Sequence, residues 1–145
     1  HGFVCANAGI DRSNVGEGEV YTTLPPDPDA SARRLRDGLR EAFPVRIGVI
    51  VSDSFGRPWR QGTTDVAIGV AGLSPLKDFR GLRDRHGYEL RTTAVALADE
   101  VAAAADLAKG KLDGVPVAIV RGVDFREEEG SIGEALRPEE QDLFR

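Results

Sequence analysis

Residues 45–73 read VRIGVIVSDSFGRPWRQGTTDVAIGVAGL. The first part, VRIGVIVS, is apolar and rich in β-branched residues, a pattern that predicts a buried strand. The last part, DVAIGVAGL, predicts a second strand. The residues between them, within positions 52–69, are polar and contain glycines, so we expect a loop there. Such a loop is either an exposed turn or part of a functional site.

Two helices are predicted outside this stretch. Asp27 is a suitable capping residue and Pro28 a suitable first helical residue, and apolar residues then recur four positions apart. These apolar residues are Leu35, Leu39 and Phe43. We expect the arginines of this helix to face water. The second helix lies within RTTAVALADEVAAAADLAKG, between a starting threonine and a closing glycine, and its apolar faces predict burial.

The remaining segments are less regular. GVPVAIVRGV, at positions 114–123, predicts another core strand. Residues 1–5 predict a short strand, followed by a glycine-punctuated loop over residues 10–20. Residues 74–90 are charged and rich in turn-forming residues, and we expect an irregular excursion there.

Composition limits the classes of protein that this chain can belong to. It has 145 residues, 41% hydrophobic and 30% charged, which is typical of one soluble globular domain. No apolar run approaches the roughly 18–20 residues that span a bilayer, so we expect no membrane partner. Cys5 is the only cysteine, which excludes an internal disulfide and favours a reducing compartment such as the cytoplasm.

The negative charge is concentrated at one end of the chain. The net charge is −5, and the segment from Asp124 onward, with eight acidic residues and three arginines, accounts for all of it. We therefore expect a catalytic domain over residues 1–123, an acidic tail or linker over residues 124–145, and no nucleic-acid partner. The chain contains no methionine and opens abruptly, so we expect it to be a piece of a longer protein.

Two groups of polar residues have the composition of a binding site. Each group follows a predicted strand: Asp11, Ser13 and Asn14 in the first, and Asp53, Ser54, Arg57, Arg60, Thr63, Thr64 and Asp65 in the second. Carboxylate, hydroxyl and amide oxygens suit hard cations such as Mg²⁺ and Mn²⁺. Arginine side chains present planar forks that suit phosphate or carboxylate. No P-loop motif is present.

Structural roles are the alternative for the same residues. Asp11 and Asp53 could each form a turn after a strand. Arg57 and Arg60 could be surface residues, with Trp59 packed in the core. From the residues alone, we infer a metal-dependent site for a phosphate or carboxylate, without a defined reaction.

Four stretches resemble the coenzyme F420-0:L-glutamate ligase family. They are HGFVCANAGIDRSNV, LPPDPDASARRLR, VSDSFGRPWRQGTTDVAIGVAGL and TTAVALADEVAAAADLAKGKLDGVPVAIVRG, in that order. The ending LRPEEQDLFR is similar to the junction in actinobacterial bifunctional members, where a nitroreductase-like domain follows.

This resemblance implies an α+β fold with mixed, largely antiparallel sheets and packed helices, and an intertwined homodimer. It implies a GTP-dependent ligase that adds L-glutamate to F420-0, then further γ-linked glutamates, through an acyl phosphate. It also implies Mg²⁺ or Mn²⁺, with K⁺ as a stimulating ion. Family members carry an N-terminal segment before HGFV that holds part of the GTP site, so we expect the domain to be truncated.

The resemblance also assigns roles to residues. Asp11, Asp53 and Ser54 match metal-binding positions, although many members have threonine in place of Ser54, and Asn14 matches a GTP-contacting position. We expect Arg57 and Arg60 to stabilise charge on the transferred phosphoryl group. Two alternatives are a metal-dependent phosphohydrolase or phosphotransferase, and a non-catalytic fragment that serves as a dimerisation scaffold.

Overall fold

The computed structural model describes residues 1–12 and 18–142. Its strands and helices are, in chain order, β1 (Ile10–Asp11), β2 (Thr22–Thr23), α1 (Pro28–Ala42), β3 (Val49–Arg57), β4 (Arg60–Ala71), β5 (Lys77–Asp78), β6 (Ala94–Val95) and α2 (Leu97–Lys109). Short 3-10 turns cover Ala6–Gly9, Ile132–Ala135 and Glu139–Gln141. Each strand pairs antiparallel with its neighbour in sequence, β1 with β2, β3 with β4 and β5 with β6. The predicted α+β class is confirmed.

The long hairpin of β3 and β4 replaces most of the loop predicted over residues 52–69. The strands pair through this stretch, and only Pro58 and Trp59 form the turn between them. The prediction of a loop was wrong because threonine, serine and phenylalanine are accepted in a strand with one polar face. Trp59 is 87% exposed and has a φ of 58°, so it is not a core residue.

Helix α1 begins where the sequence predicts. Asp27 Oδ1 accepts a hydrogen bond of 2.7 Å from the Ala30 backbone N–H, and Pro28 is the first helical residue. The predicted apolar face was wrong, however. Leu35, Leu39 and Phe43 are exposed to 56%, 37% and 56%.

The buried face of α1 is made of small and charged residues instead. Ala32 is fully buried, and Asp29 and Arg36 are buried beside it. The helix lies so close to β4 that a Cβ at Gly69 would collide with Pro28. Small residues occupy the face of α1 that packs on β4, because a larger side chain would hold the helix away from the sheet. The expectation that the arginines of α1 face water was therefore wrong for Arg36.

Helix α2 ends at the predicted glycine but begins later than predicted. Gly110 closes it with a φ of 65°. The start of the predicted helix is not helical: Thr92 and Thr93 lie before β6, and Ala94 and Val95 form β6. Only Ala98 and Ala102 of α2 are buried, and Leu107 is 89% exposed, so the predicted burial of the whole helix was wrong.

Two predicted strands have no counterpart among the described residues. Residues 1–5 form no strand, and residues 114–123 contain no regular element. Val117 and Ile119 are 73% and 74% exposed, so the second segment does not belong to the core. A strand needs a neighbouring strand to accept its backbone hydrogen bonds, and apolar composition alone does not provide one.

The acidic segment after residue 123 lies against the rest of the chain. Ile132 is buried in the core with Val70, Leu73 and Ala98. The Ser131 hydroxyl donates to Asp29 over 2.8 Å. Glu127 and Glu129 form ion pairs with Arg40 and Arg36, and Asp124 pairs with Lys77 at 2.6 Å. The division at residue 123 into a catalytic domain and a tail stays a prediction.

Within the described ranges, no helix has the length and apolar character required to cross a bilayer.

Candidate functional site

A cavity of about 600 Å³ lies between the β3–β4 hairpin and the end of α2. Strand β3 contributes three consecutive polar residues to its wall, β4 contributes one carboxylate, and α2 contributes two charged residues. The remaining wall is the glycine-containing segment of residues 110–116. The polar residues are Ser52, Asp53, Ser54, Asp65, Asp106, Lys109 and Lys111, the last of them in the 110–116 segment.

Asp65 is the centre of a hydrogen-bond cluster at this cavity. Its side chain is buried, with 4% of the residue exposed, and it accepts three hydrogen bonds. Ser54 Oγ donates to Oδ1 over 2.9 Å, while Ser52 Oγ and Lys109 Nζ donate to Oδ2 over 2.9 and 2.6 Å. The geometry follows from the hairpin register, which places Ser54 directly opposite Asp65.

The hydrogen bonds decide the charge of this carboxyl group. Burial would raise the pKa of Asp65, but the hydrogen bonds from Lys109, Ser54 and Ser52 outweigh burial and leave the pKa below its ordinary value. Asp65 is therefore an ionised group at neutral pH, paired with a lysine that is itself largely buried.

Lys109 is a site residue that sequence reasoning missed. It lies at the last position of α2, and its Nζ also approaches Ser52 Oγ at 3.2 Å. The sequence shows only a lysine before a helix-closing glycine, which is common because cations stabilise helix C-termini. The pairing with Asp65 spans 44 positions, and no local signal indicates it.

The structure gives Asp53 and Ser54 different surroundings, although both are predicted metal ligands. They are adjacent in β3, and both are half-buried. Asp53 Oδ1 accepts from the Ser54 backbone N–H over 2.8 Å, whereas the Ser54 hydroxyl is bonded to Asp65. Both residues line the cavity.

The N-terminal segment lies on the Asp53 side of the hairpin. The Phe3 and Phe55 rings meet edge to face, with their centroids 6.1 Å apart. Burial first, and the charge of Asp53 second, raise the pKa of the Cys5 thiol. These contacts bring residues shortly before β1 close to β3.

The other predicted ligands are not placed on this cavity. Asp11 lies in β1 and is exposed; its carbonyl accepts from the Thr22 hydroxyl at 3.4 Å. Asn14 lies outside the described residues. Across residues 1–12 and 18–142, no group of three or more His, Cys, Asp or Glu side chains could hold a metal. A cation shared by Asp11 and Asp53 therefore stays a prediction.

Arg57 and Arg60 flank the turn of the hairpin. Both are exposed, and they are paired across the two strands. Arg57 Nη2 donates to the Gln61 carbonyl over 3.0 Å, which holds the guanidinium near the turn. Their predicted role in phosphoryl transfer stays a prediction.

Comparison with known proteins identifies the family. Residues 1–122 match the sequence model of the family described as F420-0:Gamma-glutamyl ligase. The chain is 53% identical over 148 residues to the protein of Methanothermobacter thermautotrophicus named Coenzyme F420:L-glutamate ligase. It is 46% identical over 146 residues to proteins of the same name from Methanocaldococcus jannaschii and Methanococcus maripaludis.

These alignments cover all of this chain and 58% of each relative. The chain therefore spans a little over half the length of the curated relatives that it matches. The family match covers most of the chain, and it includes the hairpin, both helices and the cavity between them. The resemblance read from the sequence motifs is thus confirmed, and the chain belongs to the F420-0:gamma-glutamyl ligase family.

Proposed function

We propose that this chain is the catalytic part of a GTP-dependent ligase that joins L-glutamate to coenzyme F420-0 and then adds γ-linked glutamates. The observation that carries the proposal is the 53% identity, over the whole chain, to a protein named Coenzyme F420:L-glutamate ligase. The cavity beside the hairpin supports it, because it presents carboxylates, hydroxyls and two lysines to one space of about 600 Å³.

The reaction needs activation because a carboxylate is a poor electrophile. The γ-phosphoryl group moves from GTP to the carboxylate of F420-0, which gives an acyl phosphate and GDP. The amine of glutamate then attacks the carbonyl carbon, the carbon–oxygen bond to phosphate breaks, and the amine loses one proton. Negative charge develops on phosphoryl oxygens in both steps.

The donor set at Asp53 fits a hard divalent cation. Its carboxylate is half-buried at the cavity, and the Ser54 hydroxyl lies on the neighbouring residue. We propose that Asp53 and Ser54, together with Asp11, hold Mg²⁺ or Mn²⁺, and that K⁺ stimulates the reaction. The bound cation supplies charge neutralisation to the nucleotide phosphates. Since the described residues form no complete protein ligand set, phosphate oxygens would fill the remaining positions.

The proposed roles of the arginines and Asn14 complete the site. Arg57 and Arg60 bind phosphoryl oxygens, for which their planar donor forks are suited. Asn14 contacts GTP. The exposed guanidinium groups at the hairpin turn support the arginine roles, because both are accessible to a ligand.

The decisive experiment is mass spectrometry of F420-0 after incubation with the protein, GTP, Mn²⁺ and L-glutamate. We expect the mass of F420-0 to increase by one or more glutamyl units, and the Asp53→Asn variant to lose this product while remaining folded. GTP turnover that is unchanged when F420-0 and glutamate are omitted would instead indicate a phosphohydrolase. A folded protein that binds no Mn²⁺ and no GDP would indicate a scaffold.

We also propose that the protein acts as a homodimer. Apolar side chains on α1 and in residues 114–123 are exposed, and an interface is a common reason for such exposure. They are Leu35, Leu39, Phe43, Val117 and Ile119. Light scattering coupled to gel filtration should give twice the chain mass. A concentration-independent monomer would contradict the proposal.

A further inference from the structure

Two serines share the carboxylate of Asp65, but their oxygen atoms are used differently. Ser52 Oγ donates to Asp65 Oδ2 and also accepts from Lys109 Nζ, so both its donor and an acceptor site are engaged. Ser54 Oγ donates to Asp65 Oδ1 over 2.9 Å. In the described part of the chain, no side chain donates a hydrogen bond to Ser54 Oγ.

This difference matters because a hydroxyl oxygen binds a cation through a lone pair, not through its proton. With its proton directed to Asp65, Ser54 turns its lone pairs away from that carboxylate. Ser52 has the same bond to Asp65, but the Lys109 ammonium lies against its oxygen and repels a second cation. Of the two serines, Ser54 is the one prepared to accept a positive ion.

The orientation of the Ser54 hydroxyl is fixed because its acceptor, the Asp65 carboxylate, is itself held in place. Asp65 is buried, and Lys109, whose side chain is only 17% exposed, holds its Oδ2 at 2.6 Å. Strand pairing sets Ser54 opposite Asp65, so the second carboxylate oxygen is available to the Ser54 proton. The pair thus links the last residue of α2 to the middle of the hairpin.

We propose that Asp65, anchored by Lys109, is a positioning residue that fixes the Ser54 hydroxyl so that its oxygen faces the divalent cation. The inference rests on the proposed function, in which Ser54 is a metal ligand. Asp65 does not touch the cation; it acts through Ser54. Partners of this kind, which orient a metal ligand, commonly contribute about 10–100-fold in metal affinity.

The test is Mn²⁺ affinity, measured from the free-ion electron paramagnetic resonance signal, with Mn²⁺ alone and with Mn²⁺ plus GDP. We expect Asp65→Asn to weaken Mn²⁺ binding by about 10–100-fold, and Ser54→Ala to weaken it by a similar factor. Ser52→Ala is the matched control, because it removes a hydroxyl from the same carboxylate. It should cause a smaller loss than Ser54→Ala.

A double-mutant cycle separates positioning from general loss of structure. If Asp65 acts through Ser54, then Asp65→Asn should cause little further loss of Mn²⁺ affinity in the Ser54→Ala background. Full additivity of the two losses would overturn the proposal. If Asp65→Asn does not fold, Asp65→Glu keeps the charge beside Lys109, displaces the carboxylate by one methylene and should still weaken Mn²⁺ binding.

The outcomes for the two proposals can be told apart. A wild-type protein that binds no Mn²⁺ under either condition overturns the metal site and this inference together. A wild-type protein that binds Mn²⁺, is impaired by Ser54→Ala and is unaffected by Asp65→Asn overturns this inference alone.

Discussion

At the scale of single residues, Asp65 links stability to pH. Its pKa is lowered in the folded state, so its ionised form stabilises the fold above the ordinary pKa of about 3.8. That contribution is lost as the pH falls through the folded pKa. We expect the urea midpoint of the wild type to fall more steeply than that of Asp65→Asn between about pH 5 and pH 2. If the urea midpoints of the two proteins changed in parallel with pH, the stabilising role of ionised Asp65 would be contradicted.

The two arginines at the hairpin turn give a second prediction at this scale. If Arg57 or Arg60 binds phosphate, lysine is a poor replacement, because it keeps the charge but loses the planar fork. We expect Arg→Lys at one of them to lower kcat/KM by about tenfold or more, as expected for a charge-assisted hydrogen bond. Unfolding midpoints should remain at the wild-type value, because both side chains are exposed. Wild-type kinetics in both variants would make these residues part of the solvated surface.

At the scale of elements, the approach of α1 to β4 depends on one glycine. A Cβ at Gly69 would overlap the backbone of Pro28, which cannot move without shifting the start of α1. We therefore expect Gly69→Ala to destabilise the fold by about 1–3 kcal/mol or more.

The matched control is Gly38→Ala, inside α1. An added Cβ at Gly38 meets no atom within 4 Å, and alanine is the better helix former. It should stabilise the protein by up to about 1 kcal/mol. Urea denaturation of both variants measures these effects, and equal midpoints would contradict the close packing of α1 on β4.

At the scale of the whole molecule, the segment after residue 123 should stabilise the domain. It contributes Ile132 to the core, and its Ser131 hydroxyl and Ile132 backbone N–H donate to the buried carboxylate of Asp29. The same carboxylate accepts from the Val70 backbone N–H at 2.8 Å, so it joins α1, β4 and this segment.

Truncation after Val123 should therefore lower the unfolding midpoint strongly, because it exposes core surface and leaves Arg36 without Glu129. Ile132→Ala in the intact chain isolates the apolar part and should cost about 2–5 kcal/mol. Thermal unfolding followed by circular dichroism measures both. A truncated chain as stable as the intact one would support the predicted division into a domain and a separate tail.

Short-range sequence signals were sufficient to predict several features of the structure. The start of α1 at Asp27 and Pro28, the end of α2 at Gly110 and the presence of two strands within residues 45–73 follow from caps, turn residues and β-branched runs that act over a few positions. The motifs around Asp11 and Asp53 were long enough to indicate the family, which the comparisons confirm.

Only the tertiary structure decided which surfaces meet. Nothing local distinguishes the Ala32 face of α1, which is buried, from the Leu35 face, which is exposed, because the choice depends on how closely β4 approaches. The 114–123 segment is as apolar as a core strand, yet it is exposed, since no described strand lies beside it. Lys109 meets Asp65 across 44 positions, because the antiparallel register and the packing of α2 bring them together. Contacts of that kind arise from chain-wide packing, which short-range patterns do not encode.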